Sequence, residues 1–431
     1  MILAGKVDAT IEGKLEDLER FAREWRQELR LGVKFLRSLV DKSDAKKIEA
    51  AVKQSVRSGR APGALPSAEL DQHRAIVHRF GCRWRSQEEA RQWSKDILYK
   101  RVTFAADGSQ AVIEDLWPCI AFVQVATFEN PHREAGDYRK DVVNDLITSF
   151  DPALDDDQRQ LQAENDVKFR RFQLEVESLV RFIEERRGWR ERKERLPVAF
   201  FDGSLLVSLS PPHTLPQASR WQKRYAEEIE KLVRASREAF VPVVGYIGQS
   251  QARDIVRLLD TLEGGGRFSK LLDVHLLNPL FLDEAHVPSE DGRHLSDKET
   301  RDLALSGWGD RTIFFHCLRE GVDDGRASLF DDRDLLIGFV YLQTNGVDGP
   351  ARLDMPSWVY QERLLEEVVD VVRAECIVGN GYPYPIEAAD AASVIRAIDR
   401  RSLAERVLQQ ARKRSLPLGL SRKMLSKERR R

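Results

Sequence analysis

The chain has 431 residues, 42% apolar and 32% charged, and its 69 basic and 70 acidic side chains leave a net charge of −1. That supports two or three domains, or one large domain with an extension, and excludes a disordered or fibrous chain. The charge balance also excludes a wholly basic nucleic-acid coat, so a charge-driven partner must be held by a local patch. Cys82, Cys119, Cys317 and Cys376 lie far apart without a CxxC pair, which argues against a zinc ribbon, a thioredoxin-type site and a disulfide scaffold. There is no apolar run of membrane-spanning length and no basic-then-apolar leader, so a cytoplasmic protein with no membrane association is expected.

Residues 1–97 read as an N-terminal helical region, a bundle or hairpin. Ile11, Leu15, Leu18, Phe21, Trp25 and Leu29 recur at steps of three and four, one apolar stripe on a helix. A second helix is expected from Asp44 to about Val56, a loop at Gly59 to Pro66, and further helices at Ala68–Phe80 and Ser86–Asp96. The character changes near residue 100. Arg101–Ala106 and Cys119–Phe128 read as strands, residues 151–165 as an acidic loop, and Ala163–Arg187 as a helix. Strand-like runs at Leu196–Leu209, Phe240–Ile247, Thr312–Leu318 and Leu335–Leu342 alternate with helical stretches at Ser219–Ala239, Ser250–Leu262, Ser357–Glu375 and Ile386–Ile398. That alternation predicts an α/β layered domain over 98–415. A basic tail follows at 416–431; Ala411 to Arg431 carries nine Lys or Arg against one Glu.

One tripeptide occurs twice, each time after a strand-like run. Asp107-Gly108-Ser109 follows RVTFAA, and Asp202-Gly203-Ser204 follows LPVAFF. About 0.1 copies are expected by chance in a chain of this length. A strand end carries an Asp to the sheet rim, Gly allows a sharp turn, and Ser can hydrogen-bond that turn; two ordinary turns would look the same. A third acid could come from the preceding helix. Its stripe of Phe172, Val176, Leu179, Val180 and Ile183 puts Glu175 about 80° and Glu177 about 120° from the stripe centre, favouring Glu175 at the sheet rim. A fourth is Asp390, four residues before Val394 and eight before Ile398, which places it, with Glu387, on the apolar face of its helix. A first-turn acid facing the helix dipole is the plain alternative. Carboxylates converging on one rim would make an oxygen-rich site suited to Mg²⁺ or Mn²⁺, able to activate water for phosphodiester cleavage.

These pieces together resemble the NurA family of DNA-end-processing nucleases: FAADGSQ (Phe104–Gln110), the Glu175 helix, VAFFDGSLL (Val198–Leu206), VVGYIGQSQA (Val243–Ala252), ARLDMPSW (Ala351–Trp358), GYPYPIEAAD (Gly381–Asp390) and the closing SRKMLSKERRR. The resemblance implies a ribonuclease H-like mixed sheet flanked by helices, with the N-terminal helices as an extension. It implies Mn²⁺-dependent (or Mg²⁺-dependent) cleavage of DNA, both 5′→3′ exonuclease and single-strand endonuclease. It also implies a homodimer and a HerA-type hexameric ATPase as partner in end resection for recombination. By position it assigns Asp107, Glu175 (Glu177 as fallback), Asp202 and Asp390 as catalytic metal ligands. Asp390 stands where many members have His, and Gln249 in GYIGQS stands where some relatives have Lys; Arg422 or Lys423 would then supply positive charge. Tyr246, Tyr382, Tyr384 and Trp358 are candidates for stacking on bases, and Arg311 and Arg352 for phosphates, with pairing to Asp354 an equal alternative for Arg352. No G-x-x-x-x-G-K-[ST], HExxH or G-x-S-x-G is present, so ATP hydrolysis would belong to a partner, and zincin or α/β-hydrolase chemistry is not expected. The rival classes are a non-catalytic DNA-repair scaffold and a metal-dependent ribonuclease.

Overall fold

The structure, a computed structural model, describes residues 4–42, 45–58, 61–113, 116–117, 120–134, 136–147, 156–206, 216–263, 265–284, 302–318, 337–344, 349–416 and 419–420. The chain forms two compact units, each from two separate stretches: 1–83 with 247–360, and 84–246 with 361–431. Residues 1–83 hold helices α1 (Ala4–Glu12), α2 (Leu15–Lys42) and α3 (Ala45–Arg57), strand β1 (Gly63–Pro66), helix α4 (Glu69–His73) and strand β2 (Val77–His78). Residues 84–246 hold α5 (Gln87–Leu98), β3 (Thr103–Ile113), β4 (Leu116–Trp117), β5 (Ile120–Asn130), β6 (Arg139–Ile147), α6 (Asp156–Glu185), β7 (Val198–Asp202), α7 (Pro216–Ala239) and β8 (Val243–Ile247). The chain then returns to the first unit with α8 (Asp254–Glu263), α9 (Asp273–Leu277), α10 (Pro279–Glu284), β9 (Arg311–Thr312), β10 (Phe315–Leu318), β11 (Ile337–Leu342), β12 (Ala351–Pro356) and α11 (Trp358–Gln361). It closes in the second with α12 (Leu365–Val378), α13 (Tyr384–Ser393), α14 (Ala397–Lys413) and β13 (Gly419–Leu420).

In the first unit, β1, β10, β11 and β12 pair antiparallel in that order, with β9 on β11 and β2 on β9. The expected loop at Gly59–Pro66 thus ends in a strand. The expected helix over Ala68–Phe80 is one short helix that stops at Arg74 in a left-handed conformation (φ 51°) and then a strand. The apolar stripe expected on one helix runs over two, with Ile11 on α1 and the rest on α2, and it divides. Leu29, Val33 and Leu36 are buried, and Trp25 lies against His275 and Phe281, whereas Ile11, Leu15, Leu18 and Phe21 remain exposed. The Glu28 carboxylate accepts the backbone N–H groups of Ser269, Lys270 and Leu271, which fixes α2 to the turn before α9.

The second unit is a three-layer α/β structure. Its strands run in the order β6–β5–β3–β7–β8: the hairpins β3–β5–β6 are antiparallel, and β3–β7 and β7–β8 are parallel. Val198–Phe201 is buried on both faces, as a central parallel strand demands. Alternation along β3 separates the layers. Phe104 stacks on Phe182 of α6 at 4.5 Å, while Thr103 Oγ1 donates to Glu375 of α12 at 2.7 Å on the other face. Helix α6 begins at Asp156, so residues 156–165 of the expected acidic loop are helical. Ser86 caps α5 by accepting the Glu89 N–H at 3.2 Å, as the expected helix start requires. Helix α14 covers the β3–β5 turn through Leu403, Val407 and Leu408 on Ile113, Leu116 and Ile120.

Candidate active site

Two carboxylates come from neighbouring parallel strands. β3 and β7 run in register from Thr103 opposite Val198 to Ala106 opposite Phe201, so Asp107 and Asp202 occupy the next level together. Asp202 ends β7, and Gly203 follows with φ +132°, a turn only glycine takes without strain. The first Asp-Gly-Ser is different, and the expectation of a turn there is corrected. β3 continues to Ile113, with Asp107 opposite Ala126 and Gly108 opposite Val125 of β5. Gly108 is needed for another reason: a Cβ there would lie 2.5 Å from Glu175 Oε1 and 2.6 Å from Arg171 Cγ. It lets α6 ride close over the sheet.

Each Asp is held by a hydroxyl. Tyr382 donates to Asp202 Oδ1 at 2.7 Å, and Ser393, at the end of α13, donates to Asp107 Oδ2 at 2.9 Å. Gln124 of β5 donates to the Ser393 carbonyl at 3.0 Å and ties that helix end to the sheet. Burial pushes both Asp carboxyls above the ordinary range. The hydrogen bonds oppose the shift, and neighbouring charges add to it: Asp202 and Asp390 on Asp107, and Asp390 on Asp202. Burial also pushes the Tyr382 hydroxyl far upward, so it stays protonated as a donor.

Glu175 reaches the same place from α6. It is buried, with its carboxyl pushed up to about 8 by desolvation; Arg171, 3.4 Å away and one turn earlier, opposes the shift, and Asp107 and Asp202 reinforce it. Glu177 is half exposed and pairs instead with Arg170 at 3.3 Å. Asp390 and Glu387 are exposed, not on the apolar face expected for them; Pro385, Ile386, Ala388 and Ala389 fill that face. Asp390 nevertheless acts electrostatically on Asp107 and Asp202.

Among the described residues, no three His, Cys, Asp or Glu side chains are already drawn together as a metal-binding group. The donor chemistry nonetheless fits a hard cation. Four oxygen acids face one region, and three of them disfavour ionisation through burial and mutual repulsion that a divalent ion would relieve.

Several candidates for substrate contact lie elsewhere. Arg352 is buried between Asp254 (2.6 Å) and Asp354 (2.7 Å), so its charge is spent inside the first unit and it cannot meet a phosphate. Arg311 is likewise buried on Glu69 at 2.8 Å. Tyr246 is buried, with its ring edge-on to Tyr382 at 4.7 Å, and Trp358 is fully buried, so neither offers a face to a base. Tyr384 packs edge-on against Phe128. Tyr382 is near the carboxylates, as a hydrogen-bond donor to Asp202. Arg422 and Lys423 lie outside the described residues. Two participants went unread in the sequence: Arg171, signalled by the Arg-x-x-x-Glu spacing, and Ser393, which carries no signal without the fold.

A family model described as NurA domain matches residues 101–395. A search of curated proteins finds no match. Among solved structures, the chain is similar to the "NurA nuclease from Sulfolobus solfataricus" (12% identity, 96% of this chain and 98% of that one, TM-score 0.47). It is also similar to "NurA with manganese" (10% identity, 70% and 88%, TM-score 0.36) and to "NurA bound to dAMP and manganese" (12% identity, 69% and 85%, TM-score 0.31).

Proposed function

The chain belongs to the NurA family, and from that premise we propose that it is a metal-dependent nuclease that hydrolyses DNA phosphodiesters at Asp107, Glu175, Asp202 and Asp390. The observation that carries the reading is the level pairing of Asp107 and Asp202 on adjacent strands, with Glu175 brought in over Gly108. An all-oxygen donor set suits Mn²⁺ or Mg²⁺. The cation, when bound, supplies a water of lowered pKa and neutralises charge on the leaving oxygen. The protein's part is orientation. Tyr382 fixes the Asp202 carboxylate and Ser393 fixes that of Asp107. Arg171 lies beside Glu175 and offsets negative charge at the site. Glu175, whose burial favours the protonated form, would have to give up its proton to hold a cation.

The finer reading rests on the resemblance of the motifs. It comprises 5′→3′ exonuclease and single-strand endonuclease activity in end resection, a homodimer, and a HerA-type ATPase as partner in the cytoplasm. It includes a nuclease domain over 98–415, preceded by an N-terminal region at 1–97. No helix among the described residues is long and apolar enough to cross a membrane.

The test is digestion of end-labelled single- and double-stranded DNA, with an RNA control, in Mn²⁺, Mg²⁺ or EDTA, beside Asp107→Ala and Asp202→Ala. Metal-dependent cleavage of DNA that both variants lose is expected. Cleavage that the variants retain removes the site assignment, and cleavage of RNA alone makes the protein a ribonuclease. If none is seen even with a HerA-type ATPase added, the scaffold reading takes its place.

A further inference from the structure

The side of the carboxylate site bounded by α6 and α7 carries a row of aromatic rings. Trp221 meets Phe169 at 5.7 Å between centroids, Phe169 meets Tyr225 at 5.2 Å, Tyr225 meets Phe172 at 4.7 Å, and Phe172 meets Phe201 at 6.0 Å. The row therefore ends on the α6 face of β7; the next residue, Asp202, points to the other face towards Tyr382, and the acid on the row's own side is Glu175. Phe169 and Phe201 are buried, but Trp221, Tyr225 and Phe172 keep part of their surface exposed. The cause is local: 221 and 225 are one turn apart on α7, 169 and 172 nearly one turn apart on α6, and the two pairs interdigitate.

Two guanidiniums flank this row. Arg224 lies 3.9 Å over the ring centroid of Phe169 and 4.5 Å over that of Trp221. Its ion pair with Asp166 is a loose 3.7 Å, and the side chain is 38% exposed. Arg171 sits at the inner end beside Glu175, 39% exposed. Both cations and Glu175 act electrostatically on Tyr225, so row, cations and acid are near neighbours. A seam that only joined two helices would close more cheaply with aliphatic side chains and would need no charge. The site's carboxylates repel a phosphate chain, so a strand approaching them needs cations on its path.

We propose that Trp221, Tyr225, Arg224 and Arg171 form a platform for unpaired nucleotides that leads a single strand to the Glu175 side of the carboxylate site. The partly exposed rings of Trp221 and Tyr225 take base faces, and the interleaved guanidiniums take phosphates. The proposal rests on the nuclease reading for its direction, since the row is oriented by where cleavage occurs. A duplex keeps its base faces stacked inside and gains only the phosphate contacts.

The experiment measures binding in EDTA, where no metal-dependent cleavage occurs. The full chain is titrated into a fluorescein-labelled oligothymidylate of about 15 nucleotides, within the span that such sites cover, and into a duplex of equal length. Trp221→Leu, Arg224→Gln and, as a charge-matched control, the exposed Lys223→Gln are compared, each checked by circular dichroism. Single strand is expected to bind more tightly than duplex. Trp221→Leu and Arg224→Gln should each weaken single-strand binding about tenfold, and Arg224→Gln should lower the salt slope by about 0.7. Unchanged affinity in both variants, equal preference for duplex, or an equal loss in Lys223→Gln overturns the platform. Should Trp221→Leu lose its fold, the surface substitution Arg224→Gln decides. Failure here leaves metal-dependent cleavage standing, whereas loss of cleavage activity with intact binding overturns only the nuclease reading.

Discussion

Asp107 and Asp202 stand at the same level on adjacent parallel strands, one step beyond the pair Ala106–Phe201, and each carboxylate receives a hydroxyl from the α13 region. Both are disfavoured by burial and by neighbouring acids, so the site stores repulsion in the metal-free state. Asp107→Asn and Asp202→Asn should therefore lose cleavage by more than the roughly 10–100-fold that losing an outer partner costs. Their melting temperature in EDTA should be unchanged or higher. A marked fall in thermal stability in both would contradict the stored repulsion.

Tyr382→Phe and Ser393→Ala each remove one donor and no acid. Roughly 10–100-fold loss is expected, read as a higher metal concentration for half-maximal cleavage. If the metal titration stays unshifted and only the melting temperature falls, these hydroxyls are structural.

Gly108→Ala places a methyl against the Glu175 carboxylate and the Arg171 stem. Overpacking of this kind costs about 1–3 kcal/mol. Calorimetry should show that loss, and cleavage should fall with it because α6 is pushed off the sheet. A fully stable, fully active Gly108→Ala protein would show that α6 does not ride on this glycine.

Asp273 gives a pH dependence in the first unit. Its carboxyl accepts the N–H groups of Asp254 and Val256 at the start of α8 and the Tyr341 hydroxyl at 3.0 Å. Full burial nevertheless pushes it from 3.8 up to about 6, with Asp254 adding to the shift. The folded pKa lies above the unfolded one, so the protonated form is the one the fold favours. The stability this contributes is complete below 3.8 and is lost as pH rises through about 6. Denaturant titrations across that window should show it, and Asp273→Asn should flatten the slope. An unchanged slope would remove the assignment.

Arg352→Met leaves Asp254 and Asp354 buried without their cation, at a cost of about 3–5 kcal/mol. Under native conditions, the folded fraction should bind DNA as the parent does, because the side chain is 1% exposed and meets no ligand. A selective loss of DNA affinity would restore the phosphate role.

The layered core was legible because β7 is an unbroken apolar run and α6 keeps its periodicity, which also separated buried Glu175 from exposed Glu177. Other readings failed where tertiary partners decide. Val394 and Ile398 suggested that Asp390 shared an apolar face, but α13 stops at Ser393 and both residues are exposed, so the stripe spans two helices. Arg352 sits in a strand buried on both faces, where a period of two gives no warning. Tyr246 and Trp358 look like stacking rings until packing covers them. The aromatic row from Trp221 to Phe201 draws on three successive elements, α6, β7 and α7, and only their docking reveals it.

The interleaving of the two units has a consequence for synthesis on the ribosome. Helix α2 meets its partners at Ser269–Leu271 and His275, after the whole of 84–246 has been made. Glu28 and Ser269 are 241 residues apart, so at about 5–20 residues per second that delay is roughly 12–48 s. Throughout it, Leu29, Val33 and Leu36 wait uncovered while the stretch holding Asp107 and Asp202 emerges behind them. The buried face of α2 is thus translated long before its partners, and a holding chaperone has its longest opportunity on this helix.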